Sequence, residues 1–426
     1  MSEAAALAPD HGLKRALGFS AGGAAIARIA GALGGIIVAR LLGPTARGEL
    51  AVLVVVATAV AMVATAGLQF WVAREVARSQ DVRGVGAVLA RHTLAVLVLV
   101  PIACLAIAPL LAVLVDANVG AIVATAVLAA TAAINLMVLA VPNGARAMGV
   151  VATATAAAGV LYLIGTGLLL TADRASIVLV LVIAAIANVL STVIALVYTR
   201  TARVGPGPGV PTRDTYRDAL AFGIPGGLAE LVLIAMLRVD VLLVAAFLPL
   251  RDVGLYVVAV ALTELLWVVP DGVAQVVLPT TARHPRAART RQLLRGALGV
   301  TAFGGIVLSL GAGPLIATVF GAAYEGAAAA VPLLAVASLA GGAWKIIGAD
   351  VVARGRTTPR LTSAISGLIV MVGVDLVAIP TLGIAGAALG SAAGYAAASA
   401  CIARSWIVSG RDIVAPHRLV AGETVG

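Results

Sequence analysis

Apolar positions run through this chain in long continuous blocks, broken by short clusters of Gly, Pro and charge. Alternation with period two is absent, which argues against a membrane β-barrel. Punctuated by those clusters, the sequence predicts twelve helical spans, near 16–42, 49–73, 90–115, 118–142, 150–171, 176–199, 219–247, 253–278, 293–319, 326–348, 360–381 and 384–408. About 20 apolar residues suffice to cross a bilayer. Several spans exceed this, so tilt or kinks are expected. Composition agrees: 62% of the 426 residues are hydrophobic and 11% charged, against roughly 45–50% apolar in soluble domains. The class is an all-α polytopic membrane protein. Its first block, 16–42, is too long for the apolar core of a cleaved signal and is read as a retained helix.

The net charge of +10 first suggests a nucleic-acid partner, but the positions of the cations give another reading. With the N-terminus placed in the cytoplasm, 22 of the 29 Lys and Arg residues fall in inner segments; only Arg40, Arg47, Arg174 and Arg251 fall in outer loops. This is the positive-inside pattern. It puts both termini in the cytoplasm, sets the basic residues against membrane lipid, and calls for no nucleic acid. Cys104 and Cys401 lie within apolar blocks and read as small core residues.

The chain also repeats itself. "VARLLGPTARGEL" at 38–50 has a counterpart in "VAAFLPLRDVGLYVV" at 244–258, with Gly48 over Gly254 at an offset of 206. At that same offset Gly120 meets Gly326 and Gly149 meets Gly355. The predicted organisation is an N-terminal six-helix bundle (14–200), a cytoplasmic Pro/Gly-rich linker (201–218), a C-terminal six-helix bundle (219–408) and a cytoplasmic tail (409–426). Six is even, so both halves start on the same side and the repeats are parallel. In the matching turns, Arg40 and Arg47 are placed to anchor helix ends at the outer headgroups; contact with an anionic substrate on that side is the alternative.

A charge near the bilayer centre costs about 2.5–3.5 kcal/mol on insertion scales and faces a protein interior or wet cavity. The candidates are Arg28, Glu230, Arg238, Asp240, Glu264, Asp271, Lys345, Asp350 and Asp375. Arg28 plus the repeat offset is Ile234, which lies between Glu230 and Arg238. Four residues are about 6 Å of helix rise, so Arg28 and Glu230 can meet if both first helices of the repeats line the centre. Glu264, Trp267, Asp271 and Gln275 recur at one-face spacing. Such a face can carry protons or cations, or can serve as polar glue between helices. Asp240, Lys345 and Asp350 lie closer to the interfaces, where snorkelling accounts for them.

"GFSAG" at 18–22 matches the nucleophile elbow, but that motif needs a strand-to-helix turn and here lies in a predicted membrane helix. No metal-spaced cluster or phosphate loop occurs, so neither an enzyme nor a metal or cofactor site is expected.

With "ARLLGPTARGEL", "RVDVLLVAAFLPLRDVGLYVVAVALTELLWVVPDGVAQVVLPTTAR" and "TLGIAGAALGSAAGYA" in view, the chain resembles the multidrug/oligosaccharidyl-lipid/polysaccharide (MOP) flippase superfamily, and within it the oligosaccharide (O-antigen-type) flippases. The resemblance covers nearly the whole chain. It implies two six-helix bundles in a V around a central cavity. It also implies alternating access that moves a polyprenyl-pyrophosphate-linked oligosaccharide across the cytoplasmic membrane for surface polysaccharide biosynthesis, alongside a polymerase and glycosyltransferases. Under it, Arg28 and Arg238, with Glu230, are substrate-binding candidates. Glu264, Asp271 and Asp375 are candidates for coupling to H+ or Na+. The lipid II flippases of the superfamily usually have fourteen spans, and twelve argues against that subgroup. A cation-coupled drug or metabolite antiporter of the same fold is the nearest alternative. A membrane glycosyltransferase or polymerase is more distant, since the outer loops are too short to hold an active site.

Overall fold

The computed structural model describes residues 11–79, 82–172, 175–201, 213–283 and 287–412. The expected linker motif at 204–211, His284 and the tail beyond 412 lie outside them.

The described residues are almost all helical, with short turns between the helices. In chain order the helices are α1 (His11–Thr65), α2 (Leu68–Ser79), α3 (Val82–Val115), α4 (Val119–Gly144), α5 (Met148–Ala172), α6 (Ile177–Thr201), α7 (Arg213–Phe247), α8 (Leu250–Glu264), α9 (Val268–Arg283), α10 (Ala287–Val319), α11 (Val331–Ala353), α12 (Thr358–Leu382) and α13 (Ile384–Asp412). Tight 3-10 segments at Leu265–Trp267 and Ala322–Ala330 precede α9 and α11. Ten helical stretches among the described residues are long and apolar enough to cross a membrane. One of them, Ala25–Thr65, is bent at Gly43 into two arms. Outside those ten, α7 has 35 residues, about 52 Å of helix. Counting both arms of α1 and α7, twelve segments have spanning length, in the order the sequence predicts. The chain is a multi-pass membrane protein. Its lipid-facing surface is legible on α3, where Leu94, Leu97, Val98, Ile102 and Leu105 are all exposed, an apolar stripe that water would not tolerate.

The bend in α1 has a local cause. Gly43 adopts φ 73°, ψ 174°, a backbone region closed to residues with a Cβ, and Pro44 follows with no N–H to give the preceding turn. The second arm therefore starts at 44, earlier than the predicted 49. At the repeat offset Gly43 corresponds to Pro249, in the two-residue break between α7 and α8. The chain thus breaks at the same register in both halves.

Two compact units emerge from the contacts: residues 1–258 with 314–326, and residues 259–313 with 327–426. In the first, α1 packs on α4, α5 and α7, while α4 and α6 adjoin. Val138, Leu139, Ala154 and Ala195 form a core cluster among α4, α5 and α6. In the second, α11 and α12 both pack on α13, and α9 packs on α11. Val277, Ala297, Ile346 and Ala349 cluster there.

Inside the first unit the sequence repeat becomes a physical contact. A Cβ on Gly254 would overlap the backbone carbonyl of Pro44, and a Cβ on Gly48 would overlap that of Leu250. Leu250 is the repeat counterpart of Pro44, so the contact is reciprocal, as a local two-fold axis requires. Only glycine at both positions lets the two helices approach so closely.

The start of α7 is fixed to the same unit by a small polar cluster. His92 is 4% exposed. Its Nε2 lies 2.8 Å from the Ala64 carbonyl and its Nδ1 2.8 Å from the Tyr216 hydroxyl. A carbonyl only accepts, so Nε2 carries the hydrogen and Nδ1 accepts from tyrosine. The Arg91 guanidinium lies 4.2 Å from the centre of the Tyr216 ring, and that of Arg74 4.4 Å from the Phe222 ring. Tyr216→Phe leaves Nδ1 a buried acceptor without a donor. It is expected to lower unfolding stability by about 1–3 kcal/mol, read as a lowered melting temperature of the detergent-purified protein.

Candidate functional site

The first unit gathers cations and phenols at the junction of the α1 arms. Arg47 follows the Gly43–Pro44 bend by one helical turn and precedes the contact glycine Gly48. It lies within electrostatic reach of Tyr162 on α5, Arg238 on α7 and Tyr324 in the 3-10 segment. Its Nε is buried and has no hydrogen-bond partner among the described residues. Neighbouring bonds hold the frame. The Tyr324 hydroxyl donates to the Ala39 carbonyl at 2.8 Å. Arg40 donates from Nε to the Val319 carbonyl at 2.7 Å and from Nη2 to that of Thr318. Arg40 therefore caps the C-terminus of α10, where the helix dipole favours a cation.

This separates two arginines that the sequence treats alike. Arg40 closes a helix end within the protein, and Arg47 turns its Nε into the interior of the unit. A signal for the latter was present: the repeat counterpart of Arg47 is Val253, which is fully buried, so the position faces inward in both halves. Of the residues expected around the substrate, Arg238 lies near Arg47 and is half-buried, as is Glu230, while Arg28 is exposed on α1. α1 and α7, which carry them, pack together.

The second unit holds the expected carboxylates. The polar run from Glu264 to Gln275 does not lie on one unbroken α-helix. It is cut at Leu265–Trp267, where the backbone tightens to a 3-10 turn. Three residues at 3.0 per turn rotate the following positions by roughly 60° relative to an α-helix, which leaves Glu264, Trp267, Asp271 and Gln275 within an arc of about the same width. Pro270, just beyond, has no N–H to offer the preceding turn. α11 supplies part of what the break removes: the Ser338 hydroxyl donates to the Thr263 carbonyl at 3.1 Å, and the Trp267 indole N–H to the Ser338 carbonyl at 3.1 Å. Lys345 on α11 then meets Asp271 at 2.9 Å and sits 3.8 Å from the centre of the Trp267 ring. Tyr395 packs edge-on against the same indole, with ring centroids 5.5 Å apart. Glu264 is half-buried at the end of α8. Asp375 is fully buried on α12, where a Cβ at Gly390 of α13 would strike its carboxylate.

Snorkelling does not describe Asp240, Lys345 or Asp350. Asp240 accepts from the Tyr256 hydroxyl at 2.6 Å, and Lys345 reaches Asp271. Asp350 is 0% exposed. It accepts from Thr281 at 3.0 Å, Thr290 at 2.8 Å, Arg354 at 2.7 Å and Trp406 at 2.7 Å. Buried charges are held by such partners, and these donors come from α9, α10, the C-terminal cap of α11 and α13.

A family model described as "Polysaccharide biosynthesis protein" matches residues 13–284. No curated protein matches the chain. Among solved structures, the chain is similar to a lipid II flippase, MurJ, in an inward closed conformation, with TM-score 0.74, 13% identity, and coverage of 90% of this chain and 86% of that one. It is also similar to an inward-facing multidrug resistance MATE family transporter of the MOP superfamily, with TM-score 0.72, 17% identity, and coverage of 91% and 96%. A Vibrio cholerae MATE transporter gives TM-score 0.64 at 15% identity, covering 94% and 96%. At these identities the likeness establishes the fold.

Proposed function

Because the chain belongs to the polysaccharide biosynthesis protein family, we propose that it carries a polyprenyl-pyrophosphate-linked oligosaccharide across the cytoplasmic membrane by alternating access. The observation that carries this reading is that Arg47, whose Nε is buried, lies within electrostatic reach of Arg238, Tyr162 and Tyr324. Two like charges in a poorly solvated interior repel. A pyrophosphate turns that repulsion into attraction, because each guanidinium offers a planar fork of donors matched to phosphate oxygens. The Tyr162 phenol can add a hydroxyl toward phosphate or sugar, while the Tyr324 hydroxyl is committed to the Ala39 carbonyl and holds the frame. Arg28 and Glu230 extend the proposed substrate contact along α1 and α7. We assign coupling to a proton or sodium gradient to Glu264, Asp271 and Asp375 in the second unit. The excess of basic residues on alternate loops supports cytoplasmic termini. Partnership with a polymerase and with glycosyltransferases follows from the proposed cargo.

Arg47→Ala and Arg238→Ala are each expected to reduce complementation of a surface-polysaccharide defect at least tenfold, with membrane levels unchanged. Hydrogen bonds to charged groups contribute about 1.5–3 kcal/mol, which supports that size. Arg47→Lys should recover only part of the loss, since it keeps the charge and drops the fork. Full complementation by both alanine variants sinks the proposed site.

A further inference from the structure

The helix α10 is divided between the two compact units. Its residues up to Gly313 belong to the second, where Ala297 joins the cluster of Val277, Ile346 and Ala349. From Pro314 to Gly326 the chain belongs to the first. The division coincides with a weak place in the helix. Pro314 has no N–H to give the Leu310 carbonyl, and a Cβ at Gly311 or Gly313 would meet nothing within 4 Å. Proline and glycine together are where helices bend. Just before this joint, Ile306, Val307 and Leu310 are exposed.

Beyond the joint, the segment 314–326 is held to the first unit at three points. Arg40 on α1 donates to the Val319 and Thr318 carbonyls. The Tyr324 hydroxyl donates to the Ala39 carbonyl at 2.8 Å. A Cβ at Gly326 would lie 3.2 Å from the Leu255 side chain of α8. Ile316, Phe320 and Tyr324 are buried, and the last two rings lie 6.2 Å apart. Between those rings the chain turns at Gly321, with φ 105°, a conformation that suits glycine. Tyr324 also lies within electrostatic reach of Arg47.

We propose that residues 314–326 are a strap over Arg47, jointed at Gly311–Pro314 and latched to α1 by Arg40 and Tyr324, and that releasing the latch opens the Arg47 site. The latch is chemically suited to release. Its acceptors are all backbone carbonyls, and those of Thr318 and Val319 stand at a helix end where water can take over. Arg40 is itself exposed, so its guanidinium is rehydrated on letting go. Opening a buried ion pair would instead strand two charges. The consequence for cargo rests on the proposed role of Arg47; the strap and its latch do not.

The test is hydrogen–deuterium exchange of the full chain in lipid nanodiscs, read by mass spectrometry. It is joined to maleimide labelling of Arg47→Cys in a Cys104→Ala, Cys401→Ala background. The reporting amides are those of Phe320, Gly321 and Tyr324, which donate to the carbonyls of Ile316, Ala317 and Gly321. Arg40→Ala is expected to speed their exchange roughly tenfold or more while α4 stays within about twofold of wild type. Tyr324→Phe should act in the same direction, and Arg40→Lys should recover part of the protection. Labelling of Arg47→Cys should rise in parallel when Arg40→Ala is added. Exchange at 320–324 that answers to neither Arg40→Ala nor Tyr324→Phe overturns the latch. A rise shared equally by α4 overturns it too, because the whole unit would then be opening. Faster exchange with unchanged labelling of Arg47→Cys overturns the placement of the strap over Arg47. None of these readouts involves cargo, so failure of the pyrophosphate reading in a translocation assay is told apart from failure of the strap.

Discussion

Asp350→Ala is expected to destabilise the protein by about 3–5 kcal/mol, the range seen when one partner of a buried ion pair is removed. The carboxylate is fully buried and ties Thr281, Thr290, Arg354 and Trp406 to one point. Arg354 has only 9% of its side chain exposed, so alanine at 350 strands a charge along with three polar donors. Asp350→Asn should fall between alanine and wild type, because it retains an acceptor and loses the charge. Combining Asp350→Ala with Arg354→Met should cost less than the sum of the two single changes, the signature of residues that share one interaction. The readout is the melting temperature of the purified protein, with cargo transport followed separately. A destabilisation below about 1 kcal/mol for Asp350→Ala would remove it as a structural hub.

Gly254→Leu and Gly48→Leu carry the second large effect. At both positions the first side-chain carbon already overlaps a backbone carbonyl of the facing helix, and a backbone cannot swing aside as a flexible side chain can. Overpacking in well-filled cores typically costs about 1–3 kcal/mol, and here the side chain must also separate two helices at their point of closest approach. Each variant is expected to leave little folded protein in the membrane fraction. Alanine at either position should be damaging in the same direction and to a lesser degree. Gly299→Ala is the control: nothing lies within 4 Å of a Cβ there, so it should be close to neutral. Folding of either leucine variant at wild-type levels would show that the contact between the repeats yields easily.

The Gly48–Gly254 contact shows why much of the fold was legible. A glycine conserved in register between the halves of one chain marks a place where a side chain cannot fit, and the structure sets the two glycines against each other. The span order was readable because lipid imposes long apolar blocks and leaves the charges to the turns. Three features were hidden. Arg47 sits next to a turn, so its distance along the chain suggests the headgroup level; only its repeat counterpart Val253 indicates an inward direction. Asp350 and Lys345 looked like helix-end residues because their partners are remote: Thr281 and Thr290 lie on other helices, as does Asp271. The 3-10 turn at Leu265–Trp267 leaves no mark in the spacing of Glu264, Trp267, Asp271 and Gln275, since helical spacing presumes an unbroken helix. The proposed anion-binding chemistry of the first unit was thus partly visible through Arg238, and its Arg47 component came from the structure.

The most direct measurement of the central claim is lipid translocation in proteoliposomes, comparing a fluorescent polyprenyl-pyrophosphate-linked oligosaccharide with the same glycan on an uncharged polyprenyl carrier. The account predicts that wild type moves the pyrophosphate lipid well ahead of the uncharged one, and that Arg47→Ala and Arg238→Ala erase that preference. Equal movement of both lipids by wild type, with rates indifferent to Arg47 and Arg238, would contradict it.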